Sequence, residues 1–91
     1  MKFRRLSSFK EDLEALPKEI REQSREKFKL FKANQNHPSL RIKKMKGHED
    51  IWEGHVTQEY VFTFHWDEDV DTGEAIAVFR HIGTHKIYKN P

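Results

Sequence analysis

The sequence predicts a single α+β domain in which two helices are followed by a largely antiparallel sheet. Apolar residues recur at helical spacing through the first third of the chain, and after Pro38 the apolar period changes to two. Short, turn-like segments separate the period-two runs, as expected for strands joined by hairpins. The length of 91 residues fits one domain, residues 1–91.

Two helices are predicted before Pro38. Ser8 and Glu11 have the spacing of a capping box, in which each side chain accepts a backbone N–H at the start of a helix. Pro17 suits the first turn of a second helix, which should run to about Asn34. The apolar faces are formed by Phe9, Leu13 and Leu16 in the first helix and by Ile20, Phe28 and Phe31 in the second.

Four or five strands are predicted. Lys2–Leu6 could form a short first strand, and Leu40 and Ile42 alternate with Arg41 and Lys43 as the start of another. The remaining alternating runs are Trp52–Thr57, Tyr60–Trp66 and Ile76–Ile82.

The absence of cysteine excludes disulfides, zinc sites built on thiolates and cysteine nucleophiles. A small secreted domain usually carries disulfides, so a reducing cytoplasm is the expected location. No signal peptide or membrane-spanning segment can be drawn at the basic N-terminus.

The net charge of +2 is small, but the charges are segregated along the chain. A basic cluster can bind phosphates without reading sequence, although a solvated strand face is the other interpretation. Arg41 and Lys43 are expected to share a strand face, which favours phosphate binding. The cluster consists of Arg41, Lys43, Lys44 and Lys46, and the acidic residues crowd into 67–74.

The acidic stretch resembles two known motifs without fitting either. The Asp spacing at 67, 69 and 71 matches an EF-hand loop, but glycine falls one position late and Val78 stands where a bidentate Glu is required. Asp71-Thr72-Gly73 matches the aspartic protease triplet but lies in a charged segment, where no buried partner carboxylate is expected. A solvated hairpin loop accounts for both.

The six histidines do not form metal-binding spacings such as His-x-His or His-Glu-x-x-His, so no metal or other cofactor is expected. Acid–base chemistry is the remaining functional role for histidine near neutral pH, beside the ordinary role of a surface residue.

The ordered segments resemble the RelE/ParE superfamily of bacterial toxins, over nearly the whole chain. Members fold as two N-terminal helices against a curved antiparallel sheet. The matching segments are Phe9–Leu13 through Leu16-Pro17, His37–Gly47, Ile51–Glu53, Tyr60–Phe64 and Phe79–Tyr88.

The YafQ-like mRNA interferases are the most similar branch. Their His-Pro-Leu segment corresponds to His37-Pro38-Ser39-Leu40, their His-x3-Asp spacing to His55 and Glu59, and their Gly-Thr-His to Gly83-Thr84-His85. The resemblance implies a ribosome-dependent endoribonuclease with His85 as acid, supported by Tyr88, and with His55 or Glu59 on the base side. His37 is a further, less secure catalytic candidate, and Lys43, Lys44, Lys46, Arg41 and Arg80 would bind phosphate.

Two other functions remain open. ParE-type members inhibit DNA gyrase without catalysis, and a degenerate member would bind only its antitoxin. Many relatives have a Tyr-Arg pair where this chain has Tyr60-Val61, so either the cations named above replace that arginine or activity is weak. The expected partners are a cognate antitoxin, the ribosome and mRNA, with no membrane.

Overall fold

The computed structural model describes residues 1–91 and contains two helices packed on one five-stranded sheet, as predicted. The sheet order is β1-β5-β4-β3-β2, in which only the β1–β5 pair is parallel. Neither helix has the length and apolar composition needed to cross a membrane. The elements are β1 (Lys2–Arg5), α1 (Ser7–Ala15), α2 (Lys18–Ala33), β2 (Lys43–Lys44), β3 (Trp52–His55), β4 (Tyr60–Glu68) and β5 (Ala75–Thr84), with 3-10 helices at Pro38–Leu40 and His85–Lys89.

Phenylalanine side chains form the core between the helices and the sheet. The ring of Phe79 on β5 lies against all six other phenylalanines, with centroid separations of 5.1 to 5.9 Å. Aromatic pairs at such separations add about 0.5–1.5 kcal/mol each beyond the burial of their area. Phe79 therefore joins β1, both helices and β4 in one contact set. Its neighbours are Phe3, Phe9, Phe28, Phe31, Phe62 and Phe64.

The predicted capping box at the start of α1 is wrong. The helix begins at Ser7 with Leu6 as its N-cap, and no side chain caps it. The Ser8 hydroxyl instead donates to the carbonyl oxygen of Arg80 on β5, at 2.6 Å. A tertiary hydrogen bond to the sheet has replaced the local one that the spacing suggested.

The predicted strand at Leu40–Lys43 is also largely wrong. Residues Pro38–Leu40 form a 3-10 helix, Arg41 takes a left-handed conformation with φ of 50°, and only Lys43–Lys44 pair with β3. Leu40 is fully buried in the core, which fixes the turn. Arg41 and Lys43 therefore do not share a strand face in the way that the period-two reading required.

Residues 69–74 of the acidic stretch form the β4–β5 hairpin loop, as predicted, whereas Asp67 and Glu68 end β4. Ion pairs attach the N-terminal segment to this loop. The side chain of Asp69 accepts backbone N–H groups from Asp71 and Thr72, and Lys2 donates to the same carboxylate. These bonds, led by the one from Lys2, lower the pKa of Asp69 to about 2. The amino group of Met1 lies 2.9 Å from Glu74, a further ion pair between the N-terminal segment and this loop.

The position of Phe79 leads to a stability prediction. Phe79→Leu should lower the free energy of unfolding by about 1–3 kcal/mol, because it leaves a cavity among six rings that cannot all collapse. Urea unfolding followed by circular dichroism measures the change. Phe3→Leu is the matched control and should cost less, since Phe3 is 37% exposed and contacts only Phe31 and Phe79 among the aromatic rings. Equal losses in the two variants would contradict a central role for Phe79.

Candidate active site

The register of β3, β4 and β5 places polar side chains on the sheet face opposite the helices, which we call the site face. Residues directly opposite one another on paired strands share a face of the sheet. One row across the sheet contains His55, Val61 and Gly83, and the next contains Lys43, Glu53 and Thr63. The 3-10 helix His85–Lys89 follows β5 directly, which brings His85 to the end of the first row.

Five side chains on the site face form a connected group, which we call the histidine cluster. The His55 and His85 rings are 6.1 Å apart between centroids, and the Tyr88 ring is 5.2 Å from that of His85. The Tyr88 hydroxyl donates to Oε1 of Glu53 at 3.2 Å, and Nζ of Lys43 lies 3.7 Å from the same oxygen. The cluster thus combines β2, β3 and the C-terminal 3-10 helix.

One nitrogen of His85 is assigned by its hydrogen bond. Nε2 lies 3.1 Å from the backbone carbonyl of Gln58, in the turn between β3 and β4. A carbonyl oxygen only accepts, so Nε2 carries the proton in this contact. Nδ1 is then the nitrogen of His85 that can exchange a proton with a substrate.

His55 is half-buried at the end of β3, and burial lowers its pKa below the ordinary value of 6.5. The Arg41 guanidinium and His85 also lower the pKa, whereas the backbone at Thr57 and the Glu53 carboxylate oppose the shift. Nδ1 of His55 is buried without a hydrogen-bond partner of normal geometry. At neutral pH the ring is neutral, as a general base requires.

Tyr88 is a hydrogen-bond donor within the cluster. Burial, together with the nearby Glu53 carboxylate, raises its pKa far above the ordinary value of 10.0. The phenol therefore stays protonated at physiological pH. It can orient Glu53 and His85, but it is not a base.

Glu59 lies beside His85 in a shallow depression of about 450 Å³ next to the cluster. The Glu59 side chain is exposed and forms no hydrogen bond or ion pair within the chain. The depression brings together two of the residues expected to be catalytic. Its lining is Gln58, Glu59, Thr84, His85 and Lys86.

The expected phosphate-binding cations are distributed over several surfaces. Lys43 belongs to the cluster, and Arg41 lines a second depression that includes His55. Lys44 pairs in register with Trp52, which packs on the core, so Lys44 lies on the opposite side of the sheet from Lys43. Lys46 is exposed in the loop between β2 and β3.

The structure does not bring Arg80 or His37 into the cluster. The Arg80 guanidinium donates to the Pro91 carbonyl at 2.9 Å and to Nδ1 of His65 at 2.8 Å, so it holds the C-terminal segment on the sheet. The His37 ring accepts the N–H of Ser39 and thereby caps the 3-10 helix at Pro38–Leu40. The contacts of Arg80 are tertiary and that of His37 is local, and the spacing of residues in the sequence predicts neither.

Glu53 and Gln58 were not predicted as site residues. Glu53 is only 7% exposed and contacts both Tyr88 and Lys43. In the sequence it is one polar residue alternating with Trp52 and Gly54, which is also typical of a solvated strand face. Gln58 contributes through its backbone carbonyl, which no side-chain pattern reveals. No group of three or more histidine or carboxylate side chains is arranged to hold a metal ion.

No protein-family model and no curated protein sequence matches the chain. Solved structures do match over nearly its whole length. A YoeB/ParE toxin from Agrobacterium tumefaciens superposes with a TM-score of 0.73 at 16% identity, covering 93% of this chain and 99% of the toxin.

Two toxin–antitoxin complexes match similarly. A chain of the RelB–RelE complex from Methanococcus jannaschii has a TM-score of 0.66 at 22% identity, covering 99% of this chain and 96% of the other. A chain of the DinJ–YafQ complex from E. coli has a TM-score of 0.71 at 11% identity, with 93% and 92% covered. Identities this low show the fold alone. The chain has the RelE/ParE toxin fold that its ordered sequence segments predicted.

Proposed function

We propose that this protein is the toxin of a type II toxin–antitoxin system and cleaves mRNA on the ribosome by acid–base catalysis without a metal. The observation that carries the proposal is the pair of imidazoles, His55 and His85, whose centroids are 6.1 Å apart on an open face with cations beside them. The two rings are close enough that one phosphodiester lying beside both would contact a base and an acid.

The proposed reaction is attack of the RNA 2′-hydroxyl on its adjacent phosphorus. The 2′-oxygen–phosphorus bond forms and the bond from phosphorus to the 5′-oxygen breaks, which leaves a 2′,3′-cyclic phosphate and a free 5′-hydroxyl. The base takes the proton of the 2′-hydroxyl, and the acid returns one to the 5′-oxygen. DNA lacks the nucleophile, so selectivity for RNA follows from the reaction itself.

The roles follow from the burial of His55 and from the hydrogen bond of His85. Neutral His55 takes the proton, with Glu59 as the other candidate on the base side. His85 delivers a proton from Nδ1 while Nε2 remains bonded to the Gln58 carbonyl. Tyr88, edge-on to His85 and bonded to Glu53, orients the acid.

Positive charge beside the phosphate stabilises the charge that develops in the transition state, usually the largest catalytic contribution. Lys43 is the cation within the histidine cluster, with Nζ 3.7 Å from Oε1 of Glu53. Val61, which occupies the position of the strand arginine in many relatives, is fully buried. Under the proposal Lys43 takes over the role of that arginine.

The nuclease assignment predicts large losses from either histidine. His85→Ala and His55→Ala should each slow mRNA cleavage by about 10²–10⁴-fold, the usual contribution of one acid–base group. The measurement is single-turnover cleavage of mRNA on programmed ribosomes. His48→Ala, in the exposed loop before β3, is the matched control and should cleave at the normal rate.

Two outcomes would reject this assignment. Cleavage that is unchanged in both variants would remove the histidines from the mechanism. Intact mRNA together with inhibition of gyrase supercoiling by the purified protein would favour the non-catalytic, ParE-like alternative.

The lowered pKa of His55 predicts the acid limb of the pH profile. Cleavage that needs neutral His55 should persist at pH 6.5 and fall only at lower pH, because the pKa of the ring lies below that ordinary value. NMR titration of the ring protons gives this pKa directly. Arg41→Gln should raise the pKa, since it removes a positive charge that disfavours the imidazolium. A His55 pKa at or above 6.5, or an acid limb above that pH, would contradict the base assignment.

The proposed toxin also requires an antitoxin, and a basic groove on the helical side fits an acidic one. The groove, of about 360 Å³, has an apolar floor of Phe3, Leu13 and Phe28. No carboxylate lines it. We infer that an acidic, amphipathic segment of the antitoxin binds there, since such segments fold on grooves of matching charge and apolar pattern. Its cationic lining is Arg5, Arg21, Arg25, Lys29 and Lys32.

Charge reversal tests this surface. A small acidic protein that co-purifies with the tagged chain from its native host should be lost with the double variant Arg21→Glu/Arg25→Glu. The control, Lys44→Glu/Lys46→Glu, reverses the same amount of charge outside the groove, and the acidic protein should still co-purify with it. The identified partner is then titrated against each purified variant at two salt concentrations, and equal affinities would place its binding site elsewhere.

A further inference from the structure

A second depression is lined by His55 and adjoins the depression that contains His85, because Gln58 lines both. Its volume is about 320 Å³. It is built from three parts of the fold: α2, the 3-10 helix Pro38–Leu40, and the turn between β3 and β4. Its polar lining is Lys27, Ser39, Arg41, His55, Thr57 and Gln58.

The lining has the composition of an anion site. Lys27 and Arg41 are both cationic, neither forms an ion pair, and no carboxylate lines the depression. Lys27 is half-buried on α2, whereas most other lysines of the chain are exposed. A bound anion would give Lys27 and Arg41 the counter-charge that no carboxylate of the chain supplies.

The Thr57 hydroxyl adds a neutral hydrogen-bond donor to the depression. The Thr57 oxygen accepts the N–H groups of Glu59 and Tyr60, at 3.2 and 3.0 Å. Both contacts use its lone pairs, so its own O–H remains free to donate. Two cations and a free hydroxyl match the oxygens of a phosphate group.

The backbone at Arg41 is strained at this site. Its φ of 50° is the only positive value at a non-glycine residue in the chain. Such conformations cost on the order of 1–3 kcal/mol and persist where surrounding structure enforces them, often at ligand sites. Here the N–H of Arg41 donates to the Pro38 carbonyl at 3.2 Å, and the buried Leu40 anchors the turn.

We propose that this depression binds a backbone phosphate of the RNA substrate next to the phosphate that is cleaved. His55 lines the depression, and Gln58 lines both it and the groove that contains His85 and Glu59. An RNA strand crossing His55 would therefore place consecutive phosphates in the two depressions. The inference rests on the proposed function and adds Lys27 and Thr57 as substrate-binding residues.

The test couples a change in the protein with a change in the RNA. A ribosome-bound mRNA carries one neutral methylphosphonate linkage, placed in turn at each position flanking the cleaved one. The concentration of toxin that half-saturates cleavage is measured for the unmodified chain, for Lys27→Gln and for Lys29→Gln. Lys29 is the matched control because it is exposed on the same helix and pairs with Glu26.

Lys27→Gln should raise the half-saturating concentration by about 3–10-fold on normal mRNA, as expected for loss of one phosphate contact. At one flanking linkage, the methylphosphonate should raise the half-saturating concentration of the unmodified chain and of Lys29→Gln. At the same linkage it should leave the half-saturating concentration of Lys27→Gln unchanged. This lack of additivity separates an mRNA phosphate from a ribosomal RNA phosphate, for which the two effects would add at every linkage.

The outcomes separate the inference from the proposed function. Failure of the unmodified chain to bind or cleave mRNA rejects both. Normal cleavage with Lys27→Gln indistinguishable from Lys29→Gln, or additive effects at every linkage, rejects the phosphate site and leaves the nuclease proposal standing. The 91-residue chain and programmed ribosomes are used throughout.

Discussion

The contact of Phe79 with the six other phenylalanines is the interaction on which the rest of the structure depends. It fixes β5 against both helices and against β4, and so fixes the register of the hairpin. That register pairs Val61 with Gly83, while β3 pairs His55 with the same Val61. A slip of one residue would turn every side chain of a strand to the other face. The apolar core on one side of the sheet therefore determines that His55 and His85 meet on the other.

The sequence predicted those parts of the fold that depend on local periodicity. The period-two runs at Trp52–Thr57, Tyr60–Trp66 and Ile76–Ile82 correspond to β3, β4 and β5, and Pro17 stands immediately before α2. The prediction failed where tertiary contacts outweighed a local pattern. Ser8 bonds to β5 rather than to its own helix, and the burial of Leu40 creates a turn where alternation suggested a strand. The register between distant strands was not readable from the sequence.

In the candidate site, too, residue types were predictable from the sequence, whereas tertiary contacts were not. His55, His85 and Tyr88, taken from a family resemblance, meet in one cluster, and Glu59 lies in the adjoining depression. The sequence predicts Arg80 as a phosphate-binding cation, but its guanidinium bonds to His65 and to the Pro91 carbonyl. Glu53 is not predicted as a site residue, because a carboxylate in an alternating strand gives no sign that Tyr88 will cover it. Residue type indicates the available chemistry, and only tertiary structure shows which groups remain free to perform it.

Charge segregation gives the two sides of the molecule different electrostatic roles, which the net charge of +2 conceals. Three acidic residues at the hairpin form ion pairs with the N-terminal segment. Asp69 pairs with Lys2, Glu74 pairs with the amino group of Met1, and Asp67 pairs with Arg4 at 3.5 Å. These acids are paired at the β1 edge of the sheet, whereas Arg41 and Lys27 lie without ion pairs beside His55. An anion approaching the histidines thus meets unpaired cations. The same ion pairs attach the N-terminal segment to the end of β4 and to the hairpin loop, so these acids support the sheet at a distance from the cations beside His55.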